Sequence, residues 1–261
     1  MIHTVLTIAG SDPSGGAGIQ ADLKTFASLN VYGMGVIAAL TAQNTLGVRD
    51  VLAIPPEFVG AELDAVMSDI VPGAIKTGML GTGVVAEVIA QRLRKYSVEK
   101  LVVDPVLVSS SGTHLLDHAG ESILKQKLLP LALVATPNLT EAGVLTGVDV
   151  IDATSMEEAA RRLHRMGARN VLVKGGHLDG DAALDVFFDG TRTERLTSAK
   201  IPTKDTHGTG CVLSAAIAAH LALGDTVFDA VVKGKAFVTE AIRTALRLGK
   251  GAGPVNTGLR E

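Results

Sequence analysis

The 261-residue chain contains no tryptophan, one cysteine and only 3% aromatic residues. A single cysteine excludes a disulfide within the chain. The net charge is −3 and the largest basic cluster is Arg92-Leu93-Arg94-Lys95, so the charge pattern does not indicate binding to nucleic acid or to an anionic membrane. The N-terminal segment has no cationic leader, and no apolar run is long enough to span a membrane. We therefore expect a cytoplasmic protein that acts on small molecules.

Hydrophobic residues make up 47% of the chain, and no linker or internal repeat interrupts it. We therefore expect a single domain over residues 1–261. Short β-branched runs alternate with longer stretches in which apolar residues recur every three or four positions. The predicted strands are Thr4–Ala9, Gly35–Leu40, Ala74–Thr77, Leu101–Asp104, Leu133–Thr136 and Val171–Lys174. The predicted helices are Ala21–Leu29, Pro56–Asp69, Val84–Tyr96, Ser122–Leu129 and Ser155–Met166.

The last third of the chain follows a different pattern. A more polar stretch, Ala182–Lys200, predicts an antiparallel hairpin that turns near Asp189-Gly190. Two helices, Thr209–Leu223 and Thr226–Leu248, follow it, with Gly224 as the stop between them. The alternation before this stretch predicts an α/β fold with a mostly parallel central sheet flanked by helices on both faces. Binding sites are then expected beyond the carboxyl ends of the strands.

The segment Thr206–Cys211 places glycines and small residues where an apolar helix begins. Unpaired amides and the positive end of the helix dipole converge there, which predicts an anion hole for phosphoryl transfer. Cys211, the only cysteine, closes this turn, where the same groups favour its thiolate. The alternative interpretation is a glycine-rich helix start with a buried thiol that acts as a small hydrophobe.

A second glycine-rich loop, Gly10–Gly18, follows the first strand. It is not a Walker A loop, because Gly16 and Ala17 stand where the lysine and the hydroxyl residue are required. Residues 16–21 match a dinucleotide fingerprint, yet the second strand ends without the acid that binds ribose. We favour a backbone-lined pocket in which Gly10 allows close approach of a ligand and Asp12 or Asp22 supplies polar contact.

Several motifs occur in an order that resembles the hydroxymethylpyrimidine and phosphomethylpyrimidine kinases of thiamine synthesis, in the ribokinase-like superfamily. They are Thr7–Thr25, Ala42–Thr45, Thr136–Ala142, Val173–His177 and Thr206–Cys211. The resemblance covers nearly the whole chain. It implies a homodimer that uses ATP and Mg²⁺ to phosphorylate the pyrimidine's hydroxymethyl group, and then to phosphorylate the monophosphate to the diphosphate.

The residues of the acceptor pocket also make chemical sense on their own. An aminopyrimidine presents a donor beside a ring acceptor, and the carboxamide of Gln43 presents the complementary pair. Met79 follows a strand and is expected against the ring, although a methionine there is more often packing. Together with Gly10 and Asp22, these form the expected substrate site. Without the resemblance, the favoured interpretation of Gln43 is a residue that ties down a loop.

Phosphoryl transfer depends mainly on positioning and charge neutralisation. The expected catalytic residues are Gly208, Thr209, Gly210 and Cys211, whose amides face the moving phosphoryl group. The resemblance places Cys211 where most of the superfamily has an aspartate base. We expect the helix terminus to lower the thiol pKa toward neutrality, which makes Cys211 either a base or a positioning group.

The resemblance assigns Asn138 and Glu141 to the element that organises magnesium and the nucleotide. The expected ATP-binding residues are Asn138, Lys174, Thr209 and Lys235, and the expected metal environment is Asp104 and Glu141. Local alternatives stay open: Asn138 and Glu141 as a helix cap, Lys174 as a solvated strand end, and Asp205 as a turn residue. His207 lies beside the anion hole, but it is not assigned as a base.

Three other functions compete with this interpretation. A pyridoxal or pyridoxine kinase is the nearest, and Gln43 favours an aminopyrimidine over its pyridine ring. A non-catalytic vitamin-precursor binding protein is opposed by the complete set of phosphate-binding residues. A nicotinamide oxidoreductase is the weakest, because it depends on the dinucleotide fingerprint alone.

Overall fold

The computed structural model describes residues 2–108, 112, 114–176 and 182–258, so that His177 of the fourth motif lies outside the described residues. Its strands are β1 Thr4–Ser11, β2 Tyr32–Asn44, β3 Gly47–Ala53, β4 Ala74–Thr77, β5 Leu101–Val103, β6 Val134–Ala135, β7 Asn170–Gly175, β8 Ala182–Phe188 and β9 Thr193–Ala199. Its α-helices are α1 Gly18–Ser28, α2 Pro56–Met67, α3 Gly83–Lys95, α4 His118–Ile123, α5 Leu139–Thr146, α6 Ala153–Arg165, α7 Thr209–Ala222 and α8 Val227–Arg243.

The described strands form one sheet in the order β3-β2-β1-β4-β5-β6-β7-β8-β9. The pairs from β2 through β1 and β4 to β7 are parallel, whereas β2–β3, β7–β8 and β8–β9 are antiparallel. Alternate residues of the parallel strands face opposite sides. Leu6 and Ile8 pack in the core that includes α2, α3 and α6, while Val5 packs in the core of α1, α7 and α8. The predicted parallel sheet with helices on both faces is confirmed.

Several predicted boundaries are wrong. β2 extends to Asn44 and returns as β3, an edge strand that the sequence analysis missed because its side chains are mostly exposed. The predicted helix Ser122–Leu129 is a short helix, α4, that continues as a π-turn over Leu124–Leu128 and a 3₁₀ turn over Leu129–Leu131. The last helix ends at Arg243, five residues before Leu248.

The segment after the last helix contacts the predicted anion hole at Thr206–Cys211, which we call the anion turn. The amide of His207 donates to the carbonyl of Gly253 at 3.0 Å, and the amide of Val255 donates back to His207 at 3.3 Å. Asp205 is buried and accepts a hydrogen bond from the amide of Gly253 at 3.0 Å. Helix α8 therefore ends at Arg243, because residues 253–255 pair with His207 at the start of the anion turn. Among the described residues, no helix is both long and apolar enough to cross a bilayer.

Candidate active site

The carboxyl ends of the parallel strands bring the predicted site residues to one edge of the sheet. Gly10 lies next to the last residue of β1 and beside Met79: a Cβ at Gly10 would lie 2.9 Å from the Met79 sulfur. Asp104 follows β5, and its Oδ1 accepts hydrogen bonds from Thr136 after β6 at 3.1 Å and from Lys174 of β7 at 2.8 Å. Residues separated by 70 positions in sequence thus meet in one place.

The turn before α7 has the form of an anion hole. Gly208 has a φ of +82°, and a Cβ there would collide with the carbonyl oxygen of Gly16. Only glycine fits this left-handed position so close to the Gly10–Gly18 loop. No side chain caps α7, and within the described part of the chain the amides of Gly210 and Cys211 have no hydrogen-bond acceptor. These amides and the helix dipole are available to an anion.

Lys174 brings a positive charge to this turn. A Cβ at Gly210 would lie 3.1 Å from Lys174 Nζ, and Lys174 itself pairs with Asp104. Burial alone lowers the pKa of Lys174, yet the charges of Asp104 and Glu141 raise it further than burial lowers it. Lys174 therefore stays protonated and faces the place where phosphate oxygens would bind. The hydroxyl of Ser214, four residues beyond Gly210, lies 3.1 Å from Asp104 Oδ2 and 2.9 Å from the carbonyl oxygen of Gly210; this contact was not predicted.

Asn138 and Glu141 form the helix cap that the sequence allowed. Asn138 Oδ1 accepts from the amide of Glu141 at 2.9 Å, and Glu141 Oε2 accepts from the amide of Asn138 at 2.7 Å. Glu141 is also 4% exposed and lies within the field of Asp104 and Lys174. Burial, with the charge of Asp104, raises the pKa of Glu141 to about 7.

These carboxylates fit a magnesium ion. Two buried carboxyl groups, Asp104 and Glu141, repel each other, and a hard divalent cation with oxygen ligands relieves this repulsion. The described residues contain no cluster of three or more His, Cys, Asp or Glu side chains suited to a metal ion. Where Mg²⁺ is held by one or two carboxylates, substrate phosphates and water complete its coordination.

The expected low pKa of Cys211 is wrong in this structure. Burial raises the pKa of the thiol to about 11, and the charges of Asp22 and Asp104 act in the same direction. The ammonium of Lys76 and the amide of Gly18 lower the pKa, but by less. The sequence suggested the effect of the helix terminus, whereas the two nearby carboxylates became visible only in the fold. At neutral pH the side chain is a thiol.

Asp22 does not present an exposed carboxylate to a ligand, as the predicted polar contact would require. Its side chain is fully buried on α1, with Oδ2 accepting from Lys76 at 2.7 Å and from Thr7 at 2.6 Å. Among the described residues its Oδ1 has no hydrogen-bond partner. The ammonium of Lys76 was missed, although a lysine within an apolar four-residue strand was a detectable signal. The charges of Asp22 and Asp104 raise the pKa of Lys76 despite its burial, so it is charged.

Gln43 lies near the end of β2, directly after a shift in the register with β3. Such irregularities change the direction in which a side chain points. Its amide lies 3.4 Å from His207 Nε2 and 3.1 Å from Thr41 Oγ1. Met79 is 8% exposed and packs with Ala39.

Lys235 forms its ion pair with Asp185 and not with Asp104. It donates to Asp185 Oδ2 at 2.7 Å and to the carbonyl of Ala183 at 3.2 Å. The other oxygen of Asp185 accepts from the amide of Gly175 at 2.9 Å. Lys235 therefore supports the end of β7, next to Lys174, through an ion pair that neutralises its charge.

This fold, with an anion turn beside a buried Lys–Asp pair at the strand ends, defines a small-molecule kinase of the ribokinase-like class. The family model for phosphomethylpyrimidine kinase matches residues 12–256, and the chain belongs to that family. The hydroxymethylpyrimidine/phosphomethylpyrimidine kinase of Rhizobium meliloti is 50% identical, covering 98% of this chain and 97% of that protein. The thiamine biosynthesis bifunctional protein ThiED of Geobacter sulfurreducens is 52% identical over 97% of this chain, which spans about half, 52%, of that relative.

Solved structures agree on the fold. The ADP complex of Bacillus subtilis pyridoxal kinase has a TM-score of 0.91 and 39% identity, covering 98% of both chains. The phosphomethylpyrimidine kinase of Clostridium difficile 630 has a TM-score of 0.82 and 42% identity, covering 92% of this chain and 99% of that chain. The predicted ribokinase-like fold and phosphotransferase class are confirmed.

Proposed function

We propose that this chain uses ATP to phosphorylate 4-amino-5-hydroxymethyl-2-methylpyrimidine and then phosphorylates the monophosphate to the diphosphate. The observation that carries the proposal is the meeting of Gly210, Lys174 and Asp104 beyond the strand ends, with the Gln43 carboxamide beside His207 of the same Thr206–Cys211 segment. Membership of the family and relatives that bear this enzyme's name support it. A homodimer in the cytoplasm stays a prediction.

Each group then has a role in the transfer. The amides of Gly210 and Cys211 bind oxygens of the moving phosphoryl group, and Lys174 neutralises charge on it. Asn138, Thr209 and Lys235 stay proposed as nucleotide-binding residues, the last through Asp185 and Gly175. Asp104 and Glu141 would hold Mg²⁺, which neutralises phosphate charge and aligns the transfer when bound.

Cys211 acts on the acceptor. A thiol with a pKa of about 11 is protonated at neutral pH, so it holds the acceptor oxygen in line by hydrogen bonding more readily than it removes a proton. Cys211→Ala is expected to lower the rate of both phosphorylations by a similar factor, and Cys211→Ser is expected to recover part of each. A loss confined to the hydroxymethyl substrate would support the alternative role of a base, because the monophosphate needs none.

Gln43 and Met79 complete the acceptor site, and Gly10 leaves room for the ring. Asp22 contributes indirectly, through its ion pair with Lys76. Gln43→Ala is expected to raise the KM for the pyrimidine about tenfold and to leave the KM for ATP unchanged, because a paired amide is lost. Gln43→Glu is the matched control: it keeps the shape and removes the donor. An unchanged pyrimidine KM in both variants would contradict the paired-amide model.

Pyridoxal phosphorylation is a second candidate. Pyridoxal kinases of Bacillus subtilis and Staphylococcus aureus share 39% and 38% identity with this chain at a TM-score of 0.91. The deciding experiment incubates the protein with ATP and Mg²⁺ and, in parallel, the hydroxymethylpyrimidine, its monophosphate or pyridoxal, and identifies products by mass spectrometry. We expect the pyrimidine diphosphate. Product from pyridoxal alone would move the function to that substrate.

A further inference from the structure

The imidazole of His207 connects the Gly10–Gly18 loop to Gln43. Its Nε2 lies 2.7 Å from Asp12 Oδ2 and 3.4 Å from the Gln43 amide. His207 is 7% exposed, and a Cβ at Gly16 would collide with its ring. The backbone of His207 is held by Gly253 and Val255. The ring is thus fixed in place, one residue before Gly208 of the anion turn.

The partners of Asp12 determine which way this hydrogen bond runs. Burial raises the pKa of Asp12, but the hydrogen bonds from His207 and Ser14 lower it overall. An ionised carboxylate only accepts hydrogen bonds, so His207 Nε2 carries a hydrogen and donates. This nitrogen cannot accept from Gln43. The Gln43 atom that faces it must be the carbonyl oxygen, because an amide nitrogen would set two donors against each other.

Thr41 leads to the same orientation independently. Its hydroxyl lies 2.9 Å from the carbonyl oxygen of Ser11, which can only accept, and 3.1 Å from the other end of the Gln43 amide. A hydroxyl has one hydrogen, which the Ser11 carbonyl takes. The Gln43 atom beside Thr41 must then donate. Since amide atoms are assigned by their partners, both ends place Oε1 at His207 and Nε2 at Thr41.

We propose that His207, held by Asp12, is a positioning residue that fixes the orientation of the Gln43 amide and thereby selects the acceptor. Asp12 takes the single hydrogen of His207 Nε2 and Thr41 takes one N–H of Gln43, so Gln43 keeps its other N–H and its oxygen lone pairs for the ligand. That pair matches an amino group next to a ring nitrogen. In pyridoxal, a methyl-bearing carbon separates the ring nitrogen from the hydroxyl, so the same pair is not met. This inference rests on the proposed function.

The test compares two acceptors that differ only in the amino group: the hydroxymethylpyrimidine and its analogue with hydrogen at that position. The readout is the ratio of their kcat/KM values, which a general loss of stability does not change. In the wild-type protein we expect a preference of about tenfold or more for the amino compound, since the analogue leaves the amide unpaired. In His207→Leu the amide is free to rotate, and the ratio is expected to fall to about twofold.

Two further variants keep the result decisive. His207→Gln retains an N–H near the position of Nε2 and is expected to retain most of the preference. Thr41→Val has nearly the same shape and removes the other orienting contact, so its ratio is also expected to fall. The KM for ATP should stay unchanged in all three.

An unchanged ratio in His207→Leu overturns the inference; if that variant does not fold, an unchanged ratio in Thr41→Val does so. If the wild-type protein phosphorylates neither pyrimidine, the proposed function itself is wrong and the inference falls with it. Turnover of the amino compound with a ratio near one in the wild-type protein contradicts only the inference, because the function then stands and the amide does not select.

Discussion

The buried Lys76–Asp22 ion pair makes a quantitative prediction about folding. Both side chains are fully buried, 2.7 Å apart, and Thr7 is the remaining hydrogen-bond partner of Asp22 Oδ2. Lys76→Met keeps an unbranched side chain only one heavy atom shorter and leaves the carboxylate without its counter-charge. Breaking a buried pair in this way costs about 3–5 kcal/mol. Replacing both partners, in Lys76→Met/Asp22→Leu, is expected to cost about 1–2 kcal/mol, because only the Thr7 hydroxyl is left unpaired.

The loss in Lys76→Met should depend on pH. Burial raises the pKa of Asp22 in the folded state above its unfolded value of 3.8 even with Lys76 present, and the loss of the ammonium raises it further. The unfolded chain then ionises first as pH rises, so the stability of this variant falls from about pH 4 up to the folded pKa of Asp22. Its deficit against the wild type is therefore smaller at acidic pH than at neutral pH, whereas the double variant should show no such trend.

Urea denaturation followed by circular dichroism at pH 5.0 and 7.5 measures both effects. A loss below about 1 kcal/mol at pH 7.5 would refute the reasoning, because an unpaired buried charge cannot be that cheap. A double variant as unstable as Lys76→Met would also refute it, since the damage would then come from lost packing. A single variant with equal deficits at both pH values would show that Asp22 does not titrate.

Three other predictions concern the site. Gly208→Ala should lower kcat by about 10²-fold or more, because the added methyl group displaces the anion turn. The control Gly224→Ala, also at positive φ but with open space around it, should lower the stability by only about 1–2 kcal/mol. Equal kcat values for the two variants would contradict the role of Gly208. Alkylation of Cys211 by iodoacetamide should quicken about tenfold per pH unit from 7 to 10, because its pKa is about 11, and a plateau by pH 8 would contradict this. Lys174→Met should lower kcat by about 10²-fold or more, and Lys235→Met by less than tenfold with a larger loss of stability; the reverse order would exchange their roles.

Elements with a clear period could be predicted closely. β4 has the predicted bounds, α3 differs from prediction by one residue at each end, and α7 differs by one residue at its C-terminal end. A buried strand and an amphipathic helix leave a periodic pattern in the sequence, and α7 is a continuous apolar run between Gly208 and Gly224. β3 has no such signal: it is an edge strand with most side chains exposed, and it forms because β2 offers it a hydrogen-bonding partner. The early end of α8 at Arg243 likewise depends on pairing between the C-terminal segment and His207.

The sequence by itself determined the chemistry that the site can offer. Glycines at a helix start, an amide at Gln43, a lysine at a strand end and two carboxylates are local facts, and their motifs also identify the family. Only the tertiary structure decided the state and surroundings of these groups. Long-range packing buries Asp22 against Lys76, raises the pKa of the Cys211 thiol, and places His207 against Gln43. These properties depend on desolvation and on charges from distant segments, which no local pattern records.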